Sequence, residues 1–351
     1  LMPAFNKITD FKVIKIPMSD YQFGVYEQAR IAERKLEKAN KKRKPAANDD
    51  LYKDSVSTYR IFSRAFCNFV FPIEFPRPMP DKDNTIEDIE ESMDEDILDA
   101  VPVSEKIANP DGLYDLEDVD ILDKDIKNKQ DDTYDERIKQ ALQFLKDNSS
   151  KYLTSSGLQT DSPKFLHILE NIMDPEFKGL HLIYSQFRTI EGIGILKLIL
   201  EANGFAQFKI KKNEAGIWNL NISEKDKGKP TFALYTGTED AEEKEIIRNI
   251  FNSDWTKVPD SITRDILPIS TNNHYGEIIK VLSITASGAE GISLKNTRYV
   301  HIVEPYWHPV RGQQVIGRAK RICSHQALPP ELRTVNVFLY LMTFTPEQTD
   351  G

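Results

Sequence analysis

The run Gln313-Gln314-Val315-Ile316-Gly317-Arg318-Ala319-Lys320-Arg321 holds the densest chemistry in the sequence. On a helix, Gln314, Arg318 and Arg321 fall at i, i+4 and i+7 and share one face, while Gly317 would let a second backbone come close. Arginine stays ionised and offers a planar fork to phosphate oxygens, so two guanidiniums and an amide presented together suit a polyanion on which charge develops. An isolated Gly-Arg pair would favour a plain solvated helix. A second segment, Ser283 to Leu294, lifts the pattern above that reading. It follows an apolar run and supplies Thr285, Ser287, Gly288, Glu290 and Gly291. Glycines let backbone N–H groups approach a phosphate, the two hydroxyls can donate to one, and Glu290 can accept from a ribose hydroxyl or hold an arginine.

From Tyr152 onward the elements that would carry these residues alternate between strand and helix patterns. Strands are predicted at 180–184, 231–235, 279–284, 299–303 and 335–344, and helices at 189–203, 241–251 and 310–321. This order implies βαβ units, hence an α/β domain with a parallel sheet and helices on both faces. Residues 209–229 interrupt the alternation and predict a surface hairpin. Upstream, 19–44 reads as a helix ending in a basic run, more simply a solvated face than a phosphate contact. The proline-rich stretch Phe71 to Pro80 is held extended and reads as a strap over another surface. The expected organisation is a helical and extended connector over 1–80, an acidic linker or insertion over 81–150, and the α/β domain over 151–351.

The 46 Lys and Arg against 55 Asp and Glu give a net charge of −9, which on its face argues against a nucleic-acid binder. Residues 81–136 reverse that impression. They hold 22 acidic residues and five lysines, a net of −17, which leaves +8 on everything else. Composition of this kind fits a poorly folded or partly helical segment. Two cysteines far apart, without a Cys/His cluster, suggest neither a disulfide framework nor a zinc site. The longest apolar runs fall far below the roughly 20 residues that a bilayer span needs, and the N-terminus lacks a signal-peptide layout. The expectation is an intracellular protein with no membrane partner. Asp94-Glu95-Asp96 has the look of a Mg²⁺-holding acidic box but lacks the apolar strand such a box follows. No G-x-x-x-x-G-K-[ST] occurs, and Gly228-Lys229 is followed by Pro230. The chain is expected to be a piece of a longer polypeptide.

Taken in order, the two chemical segments resemble motifs V and VI of superfamily 2 helicases, and His181 to Phe187 (His-Leu-Ile-Tyr-Ser-Gln-Phe) resembles motif IV of their Swi/Snf-type branch. Tyr235-Thr236-Gly237 and the helix Ala241 to Asn252 are similar to the Thr-Gly turn and following helix of the same motors. The resemblance covers about 153–344. Pro17 to Tyr26 is similar to the segment that follows the first motor domain. Ser57 to Arg64 and Cys67 to Pro72 look most like helicases and early-transcription ATPases of large cytoplasmic DNA viruses. Ile322-Cys323-Ser324-His325 departs from the Gly-Gln continuation of chromatin remodellers, which puts a remodeller role in doubt.

The resemblance implies a C-terminal RecA-like domain, the second motor domain of an ATP-dependent helicase or translocase. Arg318 and Arg321, with Gln314, would act on the γ-phosphate, and Gly288, Glu290, Gly291 and Gly317 would lie at the nucleotide. Ser185, Gln186, Thr236, Gly237, Thr285 and Ser287 would contact one nucleic-acid strand, and His308 would either join them or close an aromatic corner. ATP and Mg²⁺ would be held mainly by a first RecA-like domain of the same polypeptide, so the chain alone would be inactive. Implied partners are nucleic acid, DNA rather than RNA, and transcription machinery, in host cytoplasm or virion if the source is viral. The competing reading is a non-catalytic RecA-like module that docks on nucleic acid or a polymerase.

Overall fold

The computed structural model describes residues 2–43, 61–78, 134–188, 190–237, 239–285, 291–305 and 309–349. Nine strands lie among them: β1 (Phe11–Pro17), β2 (Leu180–Tyr184), β3 (Ala206–Gln207), β4 (Ile210–Lys212), β5 (Trp218–Leu220), β6 (Thr231–Tyr235), β7 (Val281–Ile284), β8 (Thr297–Ile302) and β9 (Asn336–Thr343). Seven of them form one sheet in the order β1-β9-β8-β2-β7-β6-β3, and every pairing in it is parallel. The predicted hairpin over 209–229 is the antiparallel pair β4–β5.

Alternation along the central strands explains the layers. In β2, Leu180, Leu182 and Tyr184 join the apolar cluster of one face, and Ile183 joins the other. In β6, Ala233 and Tyr235 oppose Phe232 and Leu234 in the same way. A strand apolar on both faces must be covered on both. The helices Tyr134–Asp147, Pro163–Met173 and Ile193–Ala202 bury their apolar sides in one cluster, and Ala241–Phe251, Asp260–Ile266 and Pro309–Ala319 bury theirs in the other. The architecture is an α/β RecA-like fold.

The first of these faces carries a polar wire through its core. His181 Nε2 lies 3.2 Å from the Phe177 carbonyl, which can only accept, so that nitrogen donates. His181 Nδ1 then accepts from His301 Nε2 at 2.9 Å, His301 Nδ1 accepts from the Tyr340 hydroxyl at 2.8 Å, and that oxygen accepts from Asn171 Nδ2 at 2.9 Å. Each member is satisfied only while both imidazoles are neutral. Burial holds His181 well below its ordinary pKa and brings His301 down to about 3.

Two stretches differ from expectation. β1 pairs along all seven of its residues with β9 and forms the sheet edge, so part of the expected connector belongs to the sheet. Its apolar residues alternate with lysines, the pattern of a half-exposed edge strand. Residues 134–152, the end of the expected acidic linker, are helical. Ile138, Ala141, Leu142 and Leu145 lie in the core because they recur at helical spacing beneath the charges. The expected strap is buried at its first residue, Phe71, as are Phe69 and Val70 just before it, all under 5% exposed. The rest of the expected linker lies outside the described residues.

Candidate functional site

Because the sheet is parallel, the turns that follow β6, β7, β2 and β8 emerge along one edge, the carboxyl ends of adjacent strands where open α/β sheets bind ligands. Thr236 and Gly237, Thr285, Ser185 and Gln186, and Glu304 occupy those turns in that order. The expected nucleic-acid residues that are described are therefore together on one rim. Ser287, Gly288, Glu290 and His308 lie outside the described residues.

Assembly of the rim uses most of its hydroxyls internally. Ser185, Thr236 and Thr285 are each at most 1% exposed. Ser185 Oγ donates to Glu304 Oε1 at 2.6 Å and accepts from the Phe187 N–H at 3.1 Å. Thr236 donates through both its backbone N–H and its hydroxyl to Glu239, at 2.8 and 2.9 Å. Gly237 is exposed. Gln186 is half-buried, and its side-chain Nε2 is buried with no hydrogen-bond partner among the described residues.

Glu304 organises this rim. Its Oε2 accepts from the Gln186 N–H at 2.8 Å, and its Oε1 also accepts from Asn68 Nδ2 at 2.6 Å. Asn68 donates further to the Glu191 carbonyl at 2.8 Å, and its Oδ1 accepts from Lys164 Nζ at 2.8 Å. Lys164 Nζ donates in addition to the Val303 carbonyl at 2.9 Å. Complete burial pulls the Lys164 ammonium below its usual pKa. Arg77 grips the Glu191 carboxylate at 2.6 and 3.3 Å, which fixes Glu191 at φ 55°, a backbone state that ordinary residues rarely adopt. None of Glu304, Asn68, Arg77 or Glu191 was expected from the sequence. The available signal for Glu304 was a lone carboxylate two residues beyond β8, whose end is apolar apart from His301.

The arginines sit at the far end of the helix that follows β8. Pro309–Ala319 begins at the rim and runs back along the sheet for roughly 16 Å at 1.5 Å per residue. The helix stops at Ala319, so helical spacing does not place Arg321, in contrast to the expected helix over 310–321. Arg321 is instead held by the turn before β8: Nη1 donates to Ser293 Oγ at 2.5 Å and Nη2 to the Ile292 carbonyl at 3.1 Å. The Leu294 N–H donates to the Arg318 carbonyl at 3.3 Å. Asn252, at the end of Ala241–Phe251, pins the same turn by accepting from the Lys295 N–H and donating to the Ser293 carbonyl, both at 2.8 Å. Gly291 supplies the bend at φ 71°. Arg318 is half-buried, and its Nε is buried without a partner among the described residues. Gln314 is exposed one turn earlier.

No neighbouring backbone approaches Gly317 among the described residues, where a Cβ built on it would meet nothing within 4 Å. It lines a cavity of about 650 Å³ with Phe5, Phe11, Tyr184, Gln313 and Lys320. Among the described residues no group of three His, Cys, Asp or Glu side chains is placed to hold a metal ion. No helix among them is long and apolar enough to cross a membrane.

No protein-family model matches the chain. A protein of Acanthamoeba polyphaga mimivirus named as an ATP-dependent RNA helicase is 28% identical over 97% of this chain and 39% of its own length. An African swine fever virus protein named termination factor NPH-I homolog is 34% identical over 59% of this chain and 28% of its own length. Among solved structures, the C-terminal part of the Fun30 ATPase domain superposes with a TM-score of 0.50 at 14% identity, covering 98% of this chain and 86% of that one. The chain is thus similar to proteins of large DNA viruses, one of them named as a helicase. Its fold is the one seen in the C-terminal part of the Fun30 ATPase domain. The chain spans well under half the length of the two viral relatives.

Proposed function

We propose that this chain is the second motor domain of a nucleic-acid-dependent ATPase, acting on a nucleotide held mainly by another RecA-like domain of a longer polypeptide. The observation that carries the reading is the state of the two arginines. Arg321 is anchored on the Ser293 turn, while the Nε of Arg318, three residues earlier, is buried with no acceptor among the described residues. A buried donor of that kind costs free energy until an anion arrives, and a triphosphate is an anion that offers such a fork its oxygens.

In this reading Arg318 and Arg321 offset the charge that develops on the transferred phosphoryl group, and Gln314 flanks them on the exposed face. Gly291 bends the turn that carries the anchor, and Gly288, Glu290 and Gly291 are assigned to the nucleotide. Mg²⁺ and most contacts to ATP come from the other domain. The rim around Gln186, Thr236, Gly237, Thr285 and Ser287 meets one strand of nucleic acid through backbone phosphates. Such contacts carry no sequence information and weaken steeply with salt. One helix joins the two sites, so closure of a cleft around ATP moves the rim with the arginines and couples hydrolysis to translocation. The names of the viral relatives, an RNA helicase and a termination factor homolog, fit work during viral transcription on DNA or RNA.

The test is Arg318→Ala and Arg321→Ala in the longer parent protein. Each should lower ATP turnover by about 10³-fold or more while oligonucleotide affinity stays within about twofold of wild type. Equal loss of both activities would show that the arginines are scaffold or strand ligands. Measurable turnover by the 351-residue chain alone would refute the dependence on a second domain.

A further inference from the structure

The Gln186 turn has a neighbour that motif reasoning does not reach. Arg64, on the short helix Ile61–Phe66, donates through Nη2 to the side-chain Oε1 of Gln186. Its guanidinium also lies 5.8 Å from the centre of the Phe187 ring. Arg64 is half-buried and forms no ion pair among the described residues. Of the acids described in this region, Glu304 has both oxygens taken up by Ser185, Gln186 N–H and Asn68, and Glu191 is held by Arg77.

By accepting from Arg64, the Gln186 amide is turned so that its Nε2 points away from that guanidinium, and Nε2 is buried and unpartnered. Two residues further, Arg188 has its Nε buried and without a partner among the described residues as well. The turn after β2 thus carries a second arginine and an amide donor without a described acceptor beside a fixed guanidinium, while the described carboxylates Glu304 and Glu191 are already engaged. Donors held together without an acceptor form an anion site, and a guanidinium beside an amide fits the non-bridging oxygens of a phosphodiester.

We propose that Arg64 is a nucleic-acid ligand supplied by the connector, completing with Gln186 a phosphodiester-binding site at the rim. This rests on the nucleic-acid reading given above and adds a residue outside the helicase motifs. The connector then has two tasks at one turn. Asn68 and Arg77 fix its backbone through Glu304 and Glu191, and Arg64 adds charge to it.

The experiment measures affinity of the 351-residue chain for fluorescein-labelled single-stranded oligo-dT across a salt series. Arg64→Ala, Arg64→Gln and Arg64→Lys are compared with wild type, and the thermal midpoint of each is recorded. Arg64→Gln keeps a donor for Gln186 while losing the charge, and so covers the case in which alanine fails to fold. Loss of one phosphate contact should flatten the slope of log K against log salt by about 0.7 for a single strand. Affinity at low salt should fall by about tenfold in Arg64→Gln, with Arg64→Lys retaining the wild-type slope. Wild-type slope and affinity in a folded Arg64→Gln variant would overturn the proposal and leave the nucleic-acid reading standing. Failure of the wild-type chain to bind oligo-dT at low salt would overturn both.

Discussion

Arg321 lies two residues beyond the end of its helix, yet its guanidinium reaches back to Ser293 Oγ at 2.5 Å and to the Ile292 carbonyl at 3.1 Å. The contact bridges the two segments that stood out in the sequence, and Asn252 holds the Ser293 turn from a third element. Two of the five Arg321 donors are therefore spent on aim, and the remainder are available to a ligand. Ser293→Ala in the longer parent protein should lower ATP turnover by about tenfold, the effect of one lost hydrogen bond to a charged group. The Ile292 carbonyl still holds the other nitrogen, so the loss should be smaller than in Arg321→Ala. Turnover within twofold of wild type would mean that the Ser293 contact does not aim the arginine.

Burial of neutral histidines sets an acid limit on stability. His301 is brought down to about 3 and His325 to about 4 by burial, and His181 is also lowered by burial, with its neighbour His301 adding to the effect. The ordinary imidazole value near 6.5 applies to the unfolded chain, so below it the unfolded state binds more protons. The stabilising contribution is complete above pH 6.5 and is lost as pH falls towards 3, at about 1.4 kcal/mol per pH unit for each histidine. The thermal midpoint should drop steeply between pH 6.5 and 5, and His301→Gln should flatten that drop. An unchanged slope in the variant would remove His301 from the account.

Asp161 should act in the opposite direction. Burial, reinforced by the Glu74 carboxylate and opposed by Lys151, pushes its carboxyl up to about 7. A folded value above the unfolded one makes its contribution complete below about pH 4 and lost as pH rises through 7. Asp161→Asn should therefore raise the thermal midpoint at pH 8 and change it little at pH 5. A midpoint lowered equally at both values would show that the carboxylate has a structural partner whose loss outweighs its burial.

Legibility divided along physical lines. Strands β2, β6, β7, β8 and β9 could be read because each is a compact apolar run flanked by turn residues, and the order of strand and helix dictates a parallel sheet. Arg318 and the Gly291 turn could be read because glycine and arginine carry their chemistry in their identity. The clamp could not. Glu304, Asn68, Arg77 and Glu191 are ordinary polar residues whose role arises when stretches more than 100 residues apart meet. Helical spacing does not account for the position of Arg321, since a tertiary hydrogen bond holds it where the helix has already ended. The helix Tyr134–Asp147 lies almost wholly beyond the acidic run, which ends at Glu136, and its apolar stripe of Ile138, Ala141, Leu142 and Leu145 is absorbed into a linker drawn to residue 150.

The rigidity of the β2 turn can be tested at Gly192. The Ile193 N–H donates to the Phe187 carbonyl at 3.0 Å and the Gly194 N–H to the Arg188 carbonyl at 2.9 Å, which closes residues 187–194 into a ring. A Cβ on Gly192 would sit 1.8 Å from the Phe187 carbonyl oxygen, a backbone atom that cannot rotate away. Gly192→Ala must therefore open the ring and displace Phe187, and with it the turn that carries Ser185 and Gln186. The cost should reach about 3 kcal/mol, the upper range of overpacking substitutions. Because the arginine end of Pro309–Ala319 is anchored separately on Ser293, oligonucleotide affinity should fall more than ATP turnover measured at saturating nucleic acid in the parent protein. A Gly192→Ala protein with wild-type thermal midpoint and wild-type oligonucleotide affinity would show that the turn is free to rearrange and that its clamp does not define the rim.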